Sequence, residues 1–116
     1  MVPVRLYIDE PNRGDEGIFI DTNLPVVPQV GDTIILRDFE FSLLSNDFAK
    51  RMAELMNSAI AFAEAFEEIG EPYPISTNRP IEDYKNEVIS AIKWFIWCVD
   101  EVCIGTQRIY VYLILK

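Results

Sequence analysis

Acidic side chains are the most abundant reactive groups in this chain of 116 residues, which contains 19 Asp and Glu. Thirteen of them fall into four clusters: Asp9-Glu10 with Asp15-Glu16, Glu64-Glu67-Glu68-Glu71, Glu82-Asp83-Glu87, and Asp100-Glu101. Paired carboxylates can act as general acid and base when burial separates their pKa values, and their oxygens can bind Mg²⁺ or Ca²⁺. The first cluster lacks the ligand spacing of a calcium loop, and the second follows one exposed face of a helix. Runs of charge usually belong to a solvated surface, so a carboxylate-based enzyme or divalent-metal-binding protein is kept as an alternative function.

The chain offers few other groups for catalysis or metal binding. It contains no histidine, which is the commonest metal ligand and the usual general base at neutral pH. Cys98 and Cys103 cannot complete a four-ligand zinc site alone, and neither has a histidine partner to activate it. Neither a G-x-S-x-G motif nor a glycine-rich phosphate loop occurs. We therefore predict no catalytic residue, no metal site and no cofactor.

Tyrosine and tryptophan are more numerous than one thin core needs. Both combine a large apolar area with a polar tip, and both are enriched in protein interfaces. They can equally fill the interior of the fold, so each of them could belong either to the core or to an interface. The residues that we single out as a possible interaction surface are Tyr84, Trp94, Trp97, Tyr110 and Tyr112.

The charge balance excludes some partners. Ten Lys and Arg stand against 19 Asp and Glu, which gives a formal net charge of −9 and a pI near 4.3. The only adjacent basic pair is Lys50-Arg51, whereas a nucleic-acid-binding protein presents a basic patch to the phosphates. We expect no direct binding to nucleic acid or to an anionic membrane. An acidic decoy that occupies a nucleic-acid-binding protein is a further alternative.

The sequence also predicts a location. The first residues lack the apolar segment of a signal peptide, and no apolar run approaches the roughly 18 residues needed to span a bilayer. We therefore expect a cytoplasmic protein whose two cysteines are reduced.

Most of the chain outside its middle has the patterns of short strands. Residues 2–9 alternate apolar and polar side chains, which is typical of a half-buried strand. The run EPNRGDEG over residues 10–17 is rich in turn formers and predicts a hairpin. The predicted strands cover residues 2–9, 17–22, 33–38, 87–100 and 107–115.

The middle of the chain has a helical pattern. Apolar residues recur at spacings of four and three at Phe48, Met52, Leu55, Ala59, Phe62, Phe66 and Ile69. This predicts one long amphipathic helix over about 47–69, within a helical insertion of about 46–70. Ser45, Asn46 and Asp47 offer N-caps, and Gly70 fits the position just after the helix C-terminus. Residues 82–92 fit either a short helix or a strand, and the β-branched and aromatic residues that follow Ile89 favour the strand.

A short motif carries a resemblance to known proteins. The run Pro25-x-x-Pro28-x-Val30-Gly31-Asp32, with the Trp-rich and Tyr-Val-Tyr-Leu segments near the C-terminus, resembles a group of uncharacterised small bacterial proteins with an SH3-like β-barrel. The resemblance covers the β segments alone, because about fifty residues intervene after the Gly-Asp turn. It implies a fold and no activity.

Together these patterns predict an α+β fold in a single domain over residues 1–116. The predicted architecture is a small five-stranded SH3-like β-barrel or bent antiparallel sheet with one long inserted helix. The leading functional hypothesis is a non-enzymatic interaction module that binds another protein or itself. A homodimer would bury apolar surface that one small barrel leaves exposed.

Overall fold

A computed structural model describes residues 1–9, 17–41 and 45–116 of the chain. The turn predicted over residues 10–17 therefore lies outside the described residues except for Gly17, and so do the acidic residues Glu10, Asp15 and Glu16. The described residues form two compact units. A sheet unit comprises Met1–Ile34, Ile96–Ile114 and Lys116, and a helical unit comprises Ile35–Phe95 and Leu115.

The sheet unit contains a curled, half-barrel sheet of five strands in the order β2-β1-β5-β4-β3. The strands are β1 (Val2–Asp9), β2 (Ile18–Leu24), β3 (Thr33–Ile34), β4 (Trp97–Ile104) and β5 (Ile109–Leu115). β1 pairs with β2 and β3 pairs with β4 in antiparallel fashion, whereas β1 pairs with β5 in parallel. The sheet is therefore mixed. The prediction of an antiparallel sheet is wrong for the central pair, β1 and β5, which are parallel. Parallel neighbours require a long connection, which the rest of the chain between β1 and β5 provides.

Alternation along the strands builds the core of this unit. Side chains at every second position share a face of a sheet. The buried face carries Val4, Leu6, Ile20, Trp97, Val99, Val111 and Leu113, each at most 4% exposed. Their burial accounts for the alternating apolar positions of β1, β2 and β5.

The strands predicted over residues 17–22 and 107–115 are Ile18–Leu24 and Ile109–Leu115 in the structure, and two other predicted strands differ more. The strand expected over residues 33–38 is only Thr33–Ile34, because a turn follows in which Phe39 N–H donates to Leu36 O at 3.2 Å. The strand expected over residues 87–100 is wrong in its first half. The helix Ile81–Trp94 occupies that half, and strand pairing begins only at Trp97.

The helical unit contains three helices, and the single long helix predicted over 47–69 is in fact two. They are α1 (Asn46–Ser58), α2 (Ile60–Ile69) and α3 (Ile81–Trp94). Of the three N-cap candidates, Ser45 caps α1, since its Oγ accepts from Phe48 N–H at 3.1 Å, whereas Asn46 and Asp47 lie inside the helix. The predicted C-terminal glycine, Gly70, adopts a left-handed conformation with φ of 74°. The apolar periodicity runs through both helices, so it gave no sign of the break.

The break between α1 and α2 lies at Ala59, whose backbone is extended. Ser58 Oγ donates to Leu55 O at 3.0 Å, and such side-chain bonds compete with the helical ladder. The side chain of the preceding Asn57 makes two hydrogen bonds to the backbone of Ile75. Its Nδ2 donates to the Ile75 carbonyl and its Oδ1 accepts from the Ile75 N–H, both at 2.8 Å. These contacts hold the end of α1 to the α2–α3 connection, and the extended backbone at Ala59 separates α1 from α2.

α3 forms where strand propensity predicted a strand from Ile89. Its buried positions are Tyr84, Val88, Ala91 and Ile92, which recur with helical spacing. Glu82 and Asp83 in the first turn and Lys93 in the last turn match the helix dipole. Burial of this face outweighs the β preference of individual residues. None of the three helices has the length and apolar character needed to cross a membrane.

Candidate protein-interaction surface

The face of the sheet opposite the buried core gathers aromatic and charged side chains. On β1, Arg5 pairs in register with Asp21 of β2 and with Tyr110 of β5. Tyr7 pairs with Phe19 and Tyr112 on the same two strands. Side chains of such cross-strand partners lie on the same face of a sheet. We call this surface the tyrosine–arginine face, and its members are Arg5, Tyr7, Phe19, Asp21, Arg108, Tyr110 and Tyr112.

Tyr7 lies at the centre of the aromatic contacts on this face. Its ring stacks on Tyr112 with centroids 5.0 Å apart and on Tyr110 with centroids 6.3 Å apart. Phe19 meets the Tyr7 ring edge-on at 5.7 Å. Tyr7 is only 8% exposed, whereas Tyr110 and Tyr112 remain partly exposed. Tyr110 and Tyr112 are thus supported by the buried Tyr7 ring, and both keep some solvent-accessible surface.

Two guanidinium groups share one carboxylate on the same face. Arg5 binds Asp21 through Nε at 2.8 Å and Nη2 at 3.1 Å, and Arg108 Nη1 binds Asp21 Oδ1 at 3.0 Å. The hydrogen bond to Asp21 raises the pKa of Arg5. The hydrogen bonds from Arg5 and Arg108 lower the pKa of Asp21 below its usual 3.8. This cluster is ionised at neutral pH and carries one surplus positive charge.

Aromatic contacts and close packing fix the orientation of these groups. The Arg5 guanidinium lies 4.0 Å from the centre of the Phe19 ring, a cation–π contact. A Cβ on Gly105 would come within 2.5 Å of the Tyr110 ring and 2.8 Å of the Arg108 carbonyl. Only glycine therefore allows the β4–β5 turn to approach Tyr110 so closely. The geometry of the face is set before any partner arrives.

The structure separates the five aromatic residues predicted as an interaction surface. Tyr110 and Tyr112 lie on the tyrosine–arginine face. Trp97 is 1% exposed within the sheet unit and Tyr84 is 4% exposed within the helical unit, so both are core residues. Trp94 is 51% exposed at the end of α3, and its ring lies 4.5 Å from the Arg37 guanidinium. Trp94 and the two tyrosines belong to different units.

Sequence reasoning did not single out Arg5, Phe19, Asp21 or Arg108 for this surface. The alternation in β1 could have marked Arg5 and Tyr7 as neighbours on its polar face, because they stand two positions apart. Nothing local predicts that β1 lies beside β5, since the two strands are separated by most of the chain. The face therefore exists only as a result of the fold.

Several carboxylates of the predicted clusters make structural contacts or lie exposed on a helix. Glu87 pairs with Arg79, and Glu71 accepts from Ser90 Oγ at 2.9 Å, so both hold helical-unit segments in place. Glu64, Glu67 and Glu68 are exposed on α2. Within residues 1–9, 17–41 and 45–116 no group of three or more Cys, Asp or Glu side chains could hold a metal ion.

A shallow apolar groove of about 240 Å³ lies elsewhere in the sheet unit. It is lined by Leu24, Pro25, Val26, Pro28, Asp32, Thr33 and Ile34. The carboxylate of Asp32 accepts from Gln29 N–H at 2.8 Å, so it stabilises the turn before β3. The groove thus offers apolar contact and little polar recognition.

Comparison of the chain with models of protein families, with curated proteins and with solved structures gave no match.

Proposed function

We propose that this protein is a non-enzymatic interaction module that binds another protein, or a second copy of itself, through the tyrosine–arginine face. The observation that carries the proposal is the pair of partly exposed rings, Tyr110 and Tyr112, supported by the buried Tyr7. Tyrosine and arginine, together with tryptophan, are enriched among the residues that dominate binding at protein interfaces.

Preorganisation supports this choice of surface. Binding loses free energy when side chains must be ordered, and rings already stacked avoid much of that loss. The bidentate Arg5–Asp21 pair and the close approach of Gly105 hold neighbouring groups in place. Trp94 is a weaker candidate because only Arg37 is described against its ring. The strand framework therefore offers the better-defined binding surface.

Several finer predictions belong to the same proposal. The curled five-stranded sheet and the turn at Gly31, with φ of 93°, support a relationship to SH3-like barrels. The two free thiols, Cys98 and Cys103, support a cytoplasmic location. The acidic decoy depends on net charge alone and has no described surface that favours it.

Selection from a displayed library of random 12-residue peptides tests the proposal. Wild-type protein should enrich peptides that the Tyr110→Ser/Tyr112→Ser double variant no longer retains, because the variant loses both exposed rings. Trp94→Ala is the matched control, since it removes an exposed aromatic ring from the other unit and should retain the same peptides. Equal retention by the double variant would place binding elsewhere and overturn the proposal.

Binding to a second copy has its own measurement. Sedimentation equilibrium at micromolar concentrations would give a mass above 13.4 kDa that rises with concentration. If the pair forms through this face, the Tyr110→Ser/Tyr112→Ser variant should sediment as a monomer. A concentration-independent mass of 13.4 kDa for the wild type would leave another protein as the partner.

A further inference from the structure

We infer that the segment that binds the tyrosine–arginine face belongs to another protein and carries a carboxylate next to an apolar or aromatic side chain. This inference rests on the proposed function and adds the chemistry of the partner. It depends on the charge of the face and on the position of that charge beside the exposed rings.

The charge argument starts from the ion-pair cluster. Asp21 supplies one negative charge, whereas Arg5 and Arg108 supply two positive charges at distances of 2.8–3.1 Å. Arg108 reaches Asp21 through Nη1, and a guanidinium carries five N–H donors in a planar fork. A second carboxylate can therefore bind the same cluster and neutralise its surplus charge.

The position of the ion-pair cluster determines which kind of partner side chain should lie next to the bound carboxylate. Arg5 pairs in register with Tyr110, and Tyr7 lies between Tyr110 and Tyr112 in the ring stack. A side chain next to the bound carboxylate would therefore meet a tyrosine ring. Apolar and aromatic side chains gain the most from such contact, since the rings are large and largely apolar.

Two other occupants fit this surface less well. A two-fold pair of this chain through the same face would bring two surplus positive charges together, which disfavours it. A nucleic acid would need several cations along its phosphates, whereas the face has one surplus charge on a protein of net charge −9. An acidic protein segment matches both the sign and the number of charges.

The peptide selection described above, followed by fluorescence anisotropy, tests the inference. Peptides enriched on the wild type should contain Asp or Glu beside Phe, Tyr, Trp, Leu or Ile. For the most enriched peptide, replacing its acidic residue with the matching amide should weaken binding by about twofold to fivefold, as for a partly exposed ion pair. Arg108→Gln should weaken the acidic peptide to a similar extent and leave the amide peptide nearly unaffected.

Control variants separate a local charge from net charge. Lys116→Gln removes one positive charge from the same unit, where Lys116 binds Thr33 Oγ1 rather than the face, so it should leave peptide affinity unchanged. Circular dichroism of each variant checks that the fold is intact.

The outcomes distinguish the two levels of the proposal. Enriched peptides that lack an acidic residue, or that bind Arg108→Gln and wild type equally, would overturn the acidic partner and leave the interaction surface standing. Failure to enrich any peptide, or equal retention on the Tyr110→Ser/Tyr112→Ser variant, would overturn both. A mixed-sequence 20-nucleotide RNA that binds wild type more tightly than the peptides and loses affinity in Arg108→Gln would assign the face to nucleic acid instead.

Discussion

At the scale of single residues, Asp21 connects the charge of the tyrosine–arginine face to its stability. Its carboxylate accepts hydrogen bonds from both Arg5 and Arg108, and these bonds hold its pKa below the ordinary value of 3.8. A carboxylate with a lowered folded-state pKa stabilises the fold above its unfolded pKa and loses that contribution as pH falls through the folded value. The ion pairs of this face therefore contribute to stability at neutral pH.

We predict that Asp21→Asn makes the free energy of unfolding less dependent on pH. Wild type should lose more free energy of unfolding between pH 7 and pH 3 than the variant, by up to about 1 kcal/mol, because the side chain is 46% exposed and screened. Urea denaturation at both pH values measures this difference. Asp100→Asn, which removes an exposed acid from β4, is the control and should follow the wild-type dependence. Identical slopes for Asp21→Asn and wild type would contradict the prediction.

The two cysteines should differ in reactivity. Cys103 is exposed, whereas Cys98 is half-buried in β4. Local desolvation, and then the negative charge of Glu101 whose Oε1 lies 3.7 Å from Sγ, raise the pKa of Cys103 above its ordinary 9.0. Since the thiolate is the reactive form, Cys103 should be accessible but slow to react near neutral pH.

Glu101→Gln should lower the pKa of Cys103 and increase its rate of alkylation by iodoacetamide at pH 8. The rate for Cys98 should not change, which provides an internal control in the same sample. Mass spectrometry of peptides from a timed reaction separates the two sites. An unchanged Cys103 rate in Glu101→Gln would show that this carboxylate does not act on the thiol.

At the scale of elements, the junction between α1 and α2 depends on Asn57. Its amide binds both the N–H and the carbonyl of Ile75 at 2.8 Å, and Ile75 is 2% exposed. Removing the amide leaves two backbone groups unsatisfied where water has little access, which costs more than the loss of an exposed hydrogen bond. We predict that Asn57→Ala lowers the free energy of unfolding by about 2–4 kcal/mol.

Asn78→Ala is the matched control for that prediction. Asn78 is an exposed asparagine in the same α2–α3 connection, so its truncation should change the free energy of unfolding by less than about 0.5 kcal/mol. Urea denaturation followed by circular dichroism measures both variants. A loss of similar size in the two variants would show that the Asn57 contacts do not hold the junction.

The same junction illustrates how far the elements could be predicted. Alternation located β1 and β5 to within two residues, and residue type located the two helix ends at Gly70 and at the N-cap candidates Ser45, Asn46 and Asp47. The break at Ala59 depends on a contact between residues 57 and 75, which periodicity does not report. α3 likewise depends on burial of its apolar face, and burial outweighs the strand propensity of its β-branched residues.

The candidate surface could likewise be predicted only where residue type alone was informative. Residue type alone marked Tyr110 and Tyr112 as interface candidates, whereas burial of Trp97 and Tyr84 depends on packing that the sequence does not state. The cluster of Arg5, Asp21 and Arg108 joins three separate segments, so no short motif contains it.

At the scale of the whole molecule, the excess of acidic residues should oppose folding at low ionic strength. Repulsion within a chain of net charge −9 destabilises its compact state, and salt screens that repulsion. We predict that the melting temperature rises by a few degrees between 10 mM and 500 mM NaCl, which corresponds to roughly 1 kcal/mol for a protein of this size. Differential scanning calorimetry measures the change.

Reversing charge on α2 provides the control for this effect. Glu67 and Glu68 are exposed, so Glu67→Lys/Glu68→Lys changes the net charge by four units with little effect on packing. The salt-dependent rise should be smaller in this variant than in wild type. A melting temperature that falls with salt in wild type would show that attractive ion pairs outweigh the repulsion.

The parallel pairing of β1 with β5 also has a consequence for how the protein is made. Val4 pairs with Ile109 and Tyr7 with Tyr112, so the central ladder of the sheet joins segments about a hundred residues apart. At translation rates of about 5–20 residues per second, β1 and β2 leave the ribosome several seconds or more before β5 is synthesised. During that interval the β1 edge that will receive β5 has no native partner, and unpaired strand edges promote aggregation. The nascent chain should therefore be most prone to aggregation through this edge before β5 emerges.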